Sequence, residues 1–136
     1  MYSINFIAVL VSAIINMALG FLWYSPALFG KKWMTSIGKT PEELEAMKQK
    51  MGKTYFITFI TSIVTTYILA FVINLTNTSG AGRGALIGFI VWLGFIATTA
   101  INDVLYEKKP WALYYINTGY SLVSLIIVGI VLGVWQ

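Results

Sequence analysis

The sequence predicts an all-α membrane protein: a four-transmembrane-helix bundle with a short amphipathic cytoplasmic helix between helices 1 and 2. Three observations predict it. The 136-residue chain is 58% hydrophobic and only 10% charged, whereas a soluble domain carries roughly a quarter charged residues. Its charges are confined, since residues 1–30, 54–82, 84–102 and 110–136 hold none. Each of these windows reaches or nearly reaches the ~20 residues that cross a bilayer. Stretches such as 6–11 and 125–135 also lack the polar outer face that a soluble helix needs. The spans are expected at about 4–24, 55–76, 84–103 and 111–135, within a single domain covering 1–136.

The first span is read as a mature helix. A secretory signal has a basic start and small residues at its cleavage site. Here no Lys or Arg precedes Ile4, and the stretch ends in Phe21, Leu22, Trp23 and Tyr24. Orientation follows from the basic residues. Lys31, Lys32, Lys39, Lys48, Lys50 and Lys53 lie in the first loop, Lys108 and Lys109 in the third, and Arg83 alone on the opposite side. The positive-inside rule places loops 25–54 and 104–110 in the cytoplasm and both termini outside. The net charge of +4 therefore records orientation.

Loop 25–54 contains a helix start at Thr40, Pro41, Glu42 and Glu43. Threonine caps, proline suits the first helical position, and a glutamate three residues after the cap completes a capping box. The helix is expected over about 41–52, with Leu44, Met47 and Met51 as a narrow apolar stripe. It either packs on the protein's own loops or lies on the inner leaflet, its lysines drawn to anionic lipid.

Within the spans, small and polar residues fall on stripes. Ala8, Ser12, Asn16 and Gly20 are spaced by four; Thr58, Thr61, Ser62, Thr65 and Thr66 follow helical spacing. Gly80, Gly84 and Gly88 open the third span, and Gly129 and Gly133 close the fourth. Helices in lipid associate through close backbone approach and interhelical hydrogen bonds, because burial of apolar surface cannot drive them together. The stripes read as packing seams or, alternatively, as a polar path lined by Ser12, Asn16, Thr61, Thr65, Asn102, Asn117 and Ser121. The outer glycine faces also offer contacts between copies. At the cytoplasmic boundary, Asp103 sits against the helix dipole and is expected to pair with Lys31 or Lys32. Asn74, Leu75, Thr76 and Asn77, Thr78, Ser79 match glycosylation sequons but read as turn residues.

Trp23, Tyr24, Pro26, Phe29 and Trp33 form an interfacial elbow. The aromatics anchor at headgroup depth, while Pro26 ends the helix and pushes Ser25 out of helical conformation. The run Gly20-Phe21-Leu22-Trp23-Tyr24-Ser25-Pro26, continuing Leu28-Phe29-Gly30-Lys31-Lys32-Trp33, resembles an uncharacterised prokaryotic membrane family, domain of unknown function 1761. Gly84 to Phe89 with Trp92, Asn117 with Gly119 and Tyr120, and Gly129 with Leu132, Gly133 and Trp135 are similar to its later blocks. The resemblance implies a small four-helix protein of a prokaryotic inner membrane and supplies no activity, substrate or functional residue.

The chain has no histidine and no cysteine, so imidazole and thiolate chemistry are excluded. No acid/base or ligand cluster stands out in the sequence, and no catalytic residue, metal ligand or cofactor is assigned. The basic loop interleaves its lysines with three glutamates, which argues against nucleic acid. Expected partners are the lipid bilayer and either further copies or another membrane protein. The function favoured is a scaffold or accessory protein acting through helix contacts. The alternative is a transporter or channel component for a small solute or ion.

Overall fold

A computed structural model describes residues 3–136. The described chain is helical throughout, in the order α1 (Phe6–Trp23), α2 (Gly30–Ser36), α3 (Pro41–Gln49), α4 (Met51–Leu75), α5 (Ala81–Trp92), a five-residue π turn (Leu93–Ala97), α6 (Thr98–Glu107) and α7 (Trp111–Val134). Four helices are long and apolar enough to cross a membrane: α1, α4, the continuous helix Ala81–Glu107 and α7.

Local chemistry sets the boundaries. Asn5 caps α1, its side chain accepting from the Ala8 N–H at 3.1 Å. Thr40 caps α3 by accepting from the Glu43 N–H at 3.2 Å, with Pro41 in the first turn. The expected helix over 41–52 stops at Gln49, because Lys50 leaves helical geometry (φ −104°, ψ 8°) and Met51 opens α4. The second span thus begins before residue 55, and its first turn carries Lys53. Helix α2 is absent from the sequence expectation. Its seven residues follow directly on the elbow and carry no side-chain cap.

The first sequon closes α4 and the second lies in the turn after it, where they serve as turn chemistry. Asn77 adopts a left-handed conformation (φ 53°), Gly80 follows at φ 99°, and the Thr76 and Thr78 hydroxyls bond each other at 2.7 Å. The Asn74 amide donates to the Ser3 carbonyl at 2.9 Å and the Gln136 amide to the Thr78 carbonyl at 2.5 Å. Ser3 and Gln136 therefore both meet the end of α4 or the turn that follows it. The opposite end, where α2, α3 and most of the lysines lie, is called the lysine end below.

Glycine organises the terminal end. Gly84 and Gly88 on α5 face Gly129 and Leu125 on α7 so closely that a Cβ on any of these three glycines would collide with the opposing backbone. The Gly80 N–H donates across to the Gly133 carbonyl at 2.9 Å. The glycine faces offered above as contacts between copies are thus used inside one chain, because two backbones at this distance leave no room for another helix. Beside them, Val9, Leu69, Ile73, Val128 and Leu132 form a buried apolar core shared by α1, α4 and α7. Past the π turn the third span loosens, and α6 buries none of its residues.

Candidate functional site

Asn16, midway along α1, is the junction of three helices. Its amide nitrogen donates to Ser62 Oγ on α4 at 2.8 Å. Its side-chain oxygen accepts from Tyr120 on α7 at 2.8 Å and from the Ser124 hydroxyl, and Tyr120 also reaches the Asn16 carbonyl at 2.8 Å. One turn away Ser12 is fully buried, with its hydroxyl unpaired. Thr66, also buried, bonds to the Ser62 carbonyl at 2.9 Å and to the Val9 carbonyl of α1 at 3.3 Å. A side-chain amide has both donors and acceptor, which is why one asparagine can satisfy hydroxyls from two neighbours.

The elbow completes the site from below. The Phe29 N–H returns to the Trp23 carbonyl at 3.0 Å and the Gly30 N–H to the Ser25 carbonyl at 2.9 Å, closing a tight reversal. Gly30 is required there, because a Cβ would stand 2.7 Å from the Ser25 carbonyl carbon. The reversal docks on α7. Trp23 donates to the Ile116 carbonyl at 2.9 Å, its ring lying over the space that Gly119 leaves open. The Tyr24 hydroxyl donates to Asn117 Oδ1 at 2.7 Å, and the Tyr24 ring meets both Trp33 and Tyr120 edge-on at 5.7 Å. Trp23 and Tyr24 therefore clamp the elbow to α7, a contact that headgroup anchoring alone would not make. Pro26 and Phe29 stand exposed, and the Phe29 ring packs 4.7 Å from Trp23.

Above the elbow lies a cavity of about 570 Å³, bounded by α1, α2, α4 and α7 and lined among others by Phe21, Tyr24, Trp33, Tyr55, Asn117 and Tyr120. Its inner wall is the Tyr120 side of the Asn16 cluster. A smaller cleft of about 60 Å³ lies on the other side of Asn117, between α6 and α7, and includes Asp103, Lys109 and Tyr114. Two bonds hold the third span to α7 above that cleft: Trp92 to the Thr118 carbonyl at 2.8 Å and Tyr114 to the Ala97 carbonyl of the π turn at 2.7 Å.

The seven residues offered as a polar path do not come together. Ser12 and Asn16 face inward, and Asn117 reaches the cavity. Ser121, half-buried, bonds back to the Asn117 carbonyl of its own helix at 3.3 Å. Thr61 and Thr65 stand on the outer face of α4, Thr61 turned back to the Thr58 carbonyl at 2.8 Å, and Asn102 is exposed on α6. A threonine can satisfy itself on its own helix, so a hydroxyl stripe does not reveal which edge faces inward. Ser62, Thr66, Tyr120 and Ser124 are the partners that path omitted. The usable signal was the continuation of Ser62 and Thr66 into Leu69 and Ile73, an inward helical stripe. The Asp103 pair is also not made. Ion pairs among the described residues join Lys48 to Glu45 at 3.6 Å and Lys109 to Glu107 at 3.2 Å, while Lys31 and Lys32 point to solvent. The Asp103 backbone carbonyl instead caps the end of α6, accepting from the Lys109 N–H at 3.3 Å.

The site thus unites two sequence blocks about 90 residues apart: Gly20, Trp23, Tyr24, Gly30 and Trp33 from the first, Asn117, Gly119 and Tyr120 from the second. A family model matches residues 7–133, nearly the whole chain. The chain belongs to the family of proteins of unknown function DUF1761. No curated protein and no solved structure matches it. Membership in the DUF1761 family agrees with the resemblance carried by the elbow block, and it assigns no activity to the cavity.

Proposed function

We propose that this chain is a scaffold or accessory protein of a prokaryotic inner membrane, lysine end in the cytoplasm, acting through helix contacts with another membrane protein. The observation that carries the reading is the closed polar seam at Asn16, which ties α1, α4 and α7 together midway along their length. Above it the apolar core and the glycine contact fill the terminal end. Packed interiors resist continuous deformation, so such a body suits presentation of a fixed surface better than alternating access. A second reading, a component of a transport path, is favoured by the cavity, which reaches Tyr120 and Asn117 from the lysine end.

Reconstitution in liposomes separates the two. A panel of ion and small-solute fluxes is expected to stay at the protein-free level for the natural chain, for Asn16→Leu and for Asn117→Leu. A flux that the natural chain supports and Asn117→Leu abolishes would overturn the scaffold reading in favour of transport. Orientation is tested by a reporter fused after Gln136, expected to be active only when it functions outside the cytoplasm.

A further inference from the structure

We infer that the 570 Å³ cavity is a binding site for one anionic phospholipid, its phosphate held by the lysines that flank the lining residues and one of its acyl chains within the aromatic walls. The volume falls in the roughly 300–1,000 Å³ range of ligand cavities. The walls combine apolar surface from Met17, Phe21 and Met51 with hydroxyls from Thr54 and Tyr55, and no acidic residue lines it. The Thr54 and Tyr55 hydroxyls make no hydrogen bond within the described chain, so they are free to donate to a ligand oxygen.

The charge on the chain positions that flank the lining residues sets the sign of the ligand. Lys32, Lys50 and Lys53 are each the immediate chain neighbour of a lining residue: Trp33, Met51 and Thr54 respectively. All three are exposed, and none enters either ion pair found among the described residues. An aromatic cage by itself would also suit an organic cation, but three exposed lysines on the chain positions beside its lining residues disfavour one and favour a phosphate. A lipid supplies both halves of the match, an anionic head for the lysines and an acyl chain for the walls. The inference requires only that the four long helices lie in a bilayer, and it holds under either reading of the function.

Fluorescence quenching in lipid nanodiscs tests it, using the full chain in phosphatidylcholine with increasing fractions of brominated phosphatidylglycerol or brominated phosphatidylcholine. Trp33 is isolated as the emission lost in Trp33→Phe. Its quenching is expected to saturate at roughly tenfold lower mole fraction for the anionic lipid. Lys32→Gln, Lys50→Gln and Lys53→Gln together are expected to erase that preference. Thr58→Phe, which fills the cavity from a position outside the Asn16 cluster, is expected to remove the saturable component, with circular dichroism reporting that the variants remain helical. Equal half-points for the two lipids, or anionic quenching unchanged in either folded variant, would overturn the inference. Flux measurements play no part in this readout, so its failure leaves the scaffold and transport readings where they stand.

Discussion

The two ends of the molecule are built from the same long helices and differ in what stands at the crossing points. At the terminal end Gly84, Gly88, Gly129 and Gly133 let α5 and α7 touch backbone to backbone, and a buried aliphatic core fills the remaining space. At the lysine end the crossing positions carry Phe21, Tyr24, Trp33 and Tyr120, whose rings hold the helices apart and leave a cavity. Between the two lies the Asn16 cluster. Side-chain volume at a helix crossing thus decides whether the same architecture closes or opens. Closure costs glycine's weak helix propensity and gains close contact along both backbones. Opening gives up packing and leaves hydroxyls, an amide and apolar rings facing one space, the composition of a binding site.

Four experiments would break or sharpen that contrast. The largest effect is expected from Gly84→Leu, because the obstacle is the Gly129 backbone, which cannot rotate aside. Overpacking costs about 1–3 kcal/mol or more, so thermal unfolding in detergent should shift down by roughly 10 °C or leave no folded protein. Gly52→Ala, where nothing lies within 4 Å, is the matched control and should change little. A Gly84→Leu protein as stable as the natural chain would remove the distinction between the two ends.

Next comes Asn16→Leu. It strands the Ser124 and Ser62 hydroxyls and leaves Tyr120 only the backbone carbonyl of residue 16. At about 0.6 kcal/mol for an average interhelical contact, a loss of roughly 1–2 kcal/mol is expected, read as a lower midpoint in denaturant titration. A gain in stability would show that the cluster is kept for a reason other than holding α1, α4 and α7. Tyr24→Phe should cost less, about 0.5–1 kcal/mol for one hydrogen bond. It frees Asn117 and loosens the elbow, so proteolysis of the 25–50 region should speed up while the unfolding midpoint moves little. The smallest effect is expected from Thr65→Ala on the outer face of α4, within about 0.5 kcal/mol of no change. A large loss there would mean that this face is covered in the membrane by a partner.

The spans were legible because hydropathy is additive along the chain. Four charge-free windows became four long helices, with edges moved by a few residues where Lys50 and Glu107 sit. The Thr40 cap and the sequon turn were legible for a local reason, since both depend on residues three or four apart. Helix α2 was not, because its end contacts come from the reversal at Ser25 and from packing on α7. Which edge of the α4 stripe faces inward was equally hidden: Thr61 and Ser62 are neighbours of similar polarity, and only the position of Asn16 on another helix distinguishes them.

By itself the sequence determined the solvent the helices suit, their number, and the small-residue faces available for close approach. Each of these is a property of one segment and its own periodicity. The tertiary structure decided which faces meet: that the glycines pair within the chain, that Tyr24 and Trp23 clamp onto α7, and that a cavity opens beside Asn117. The physical reason is that apolar helices in lipid have no hydrophobic preference among their faces. Their arrangement follows from steric fit and from the few hydrogen bonds that connect residues far apart in the chain.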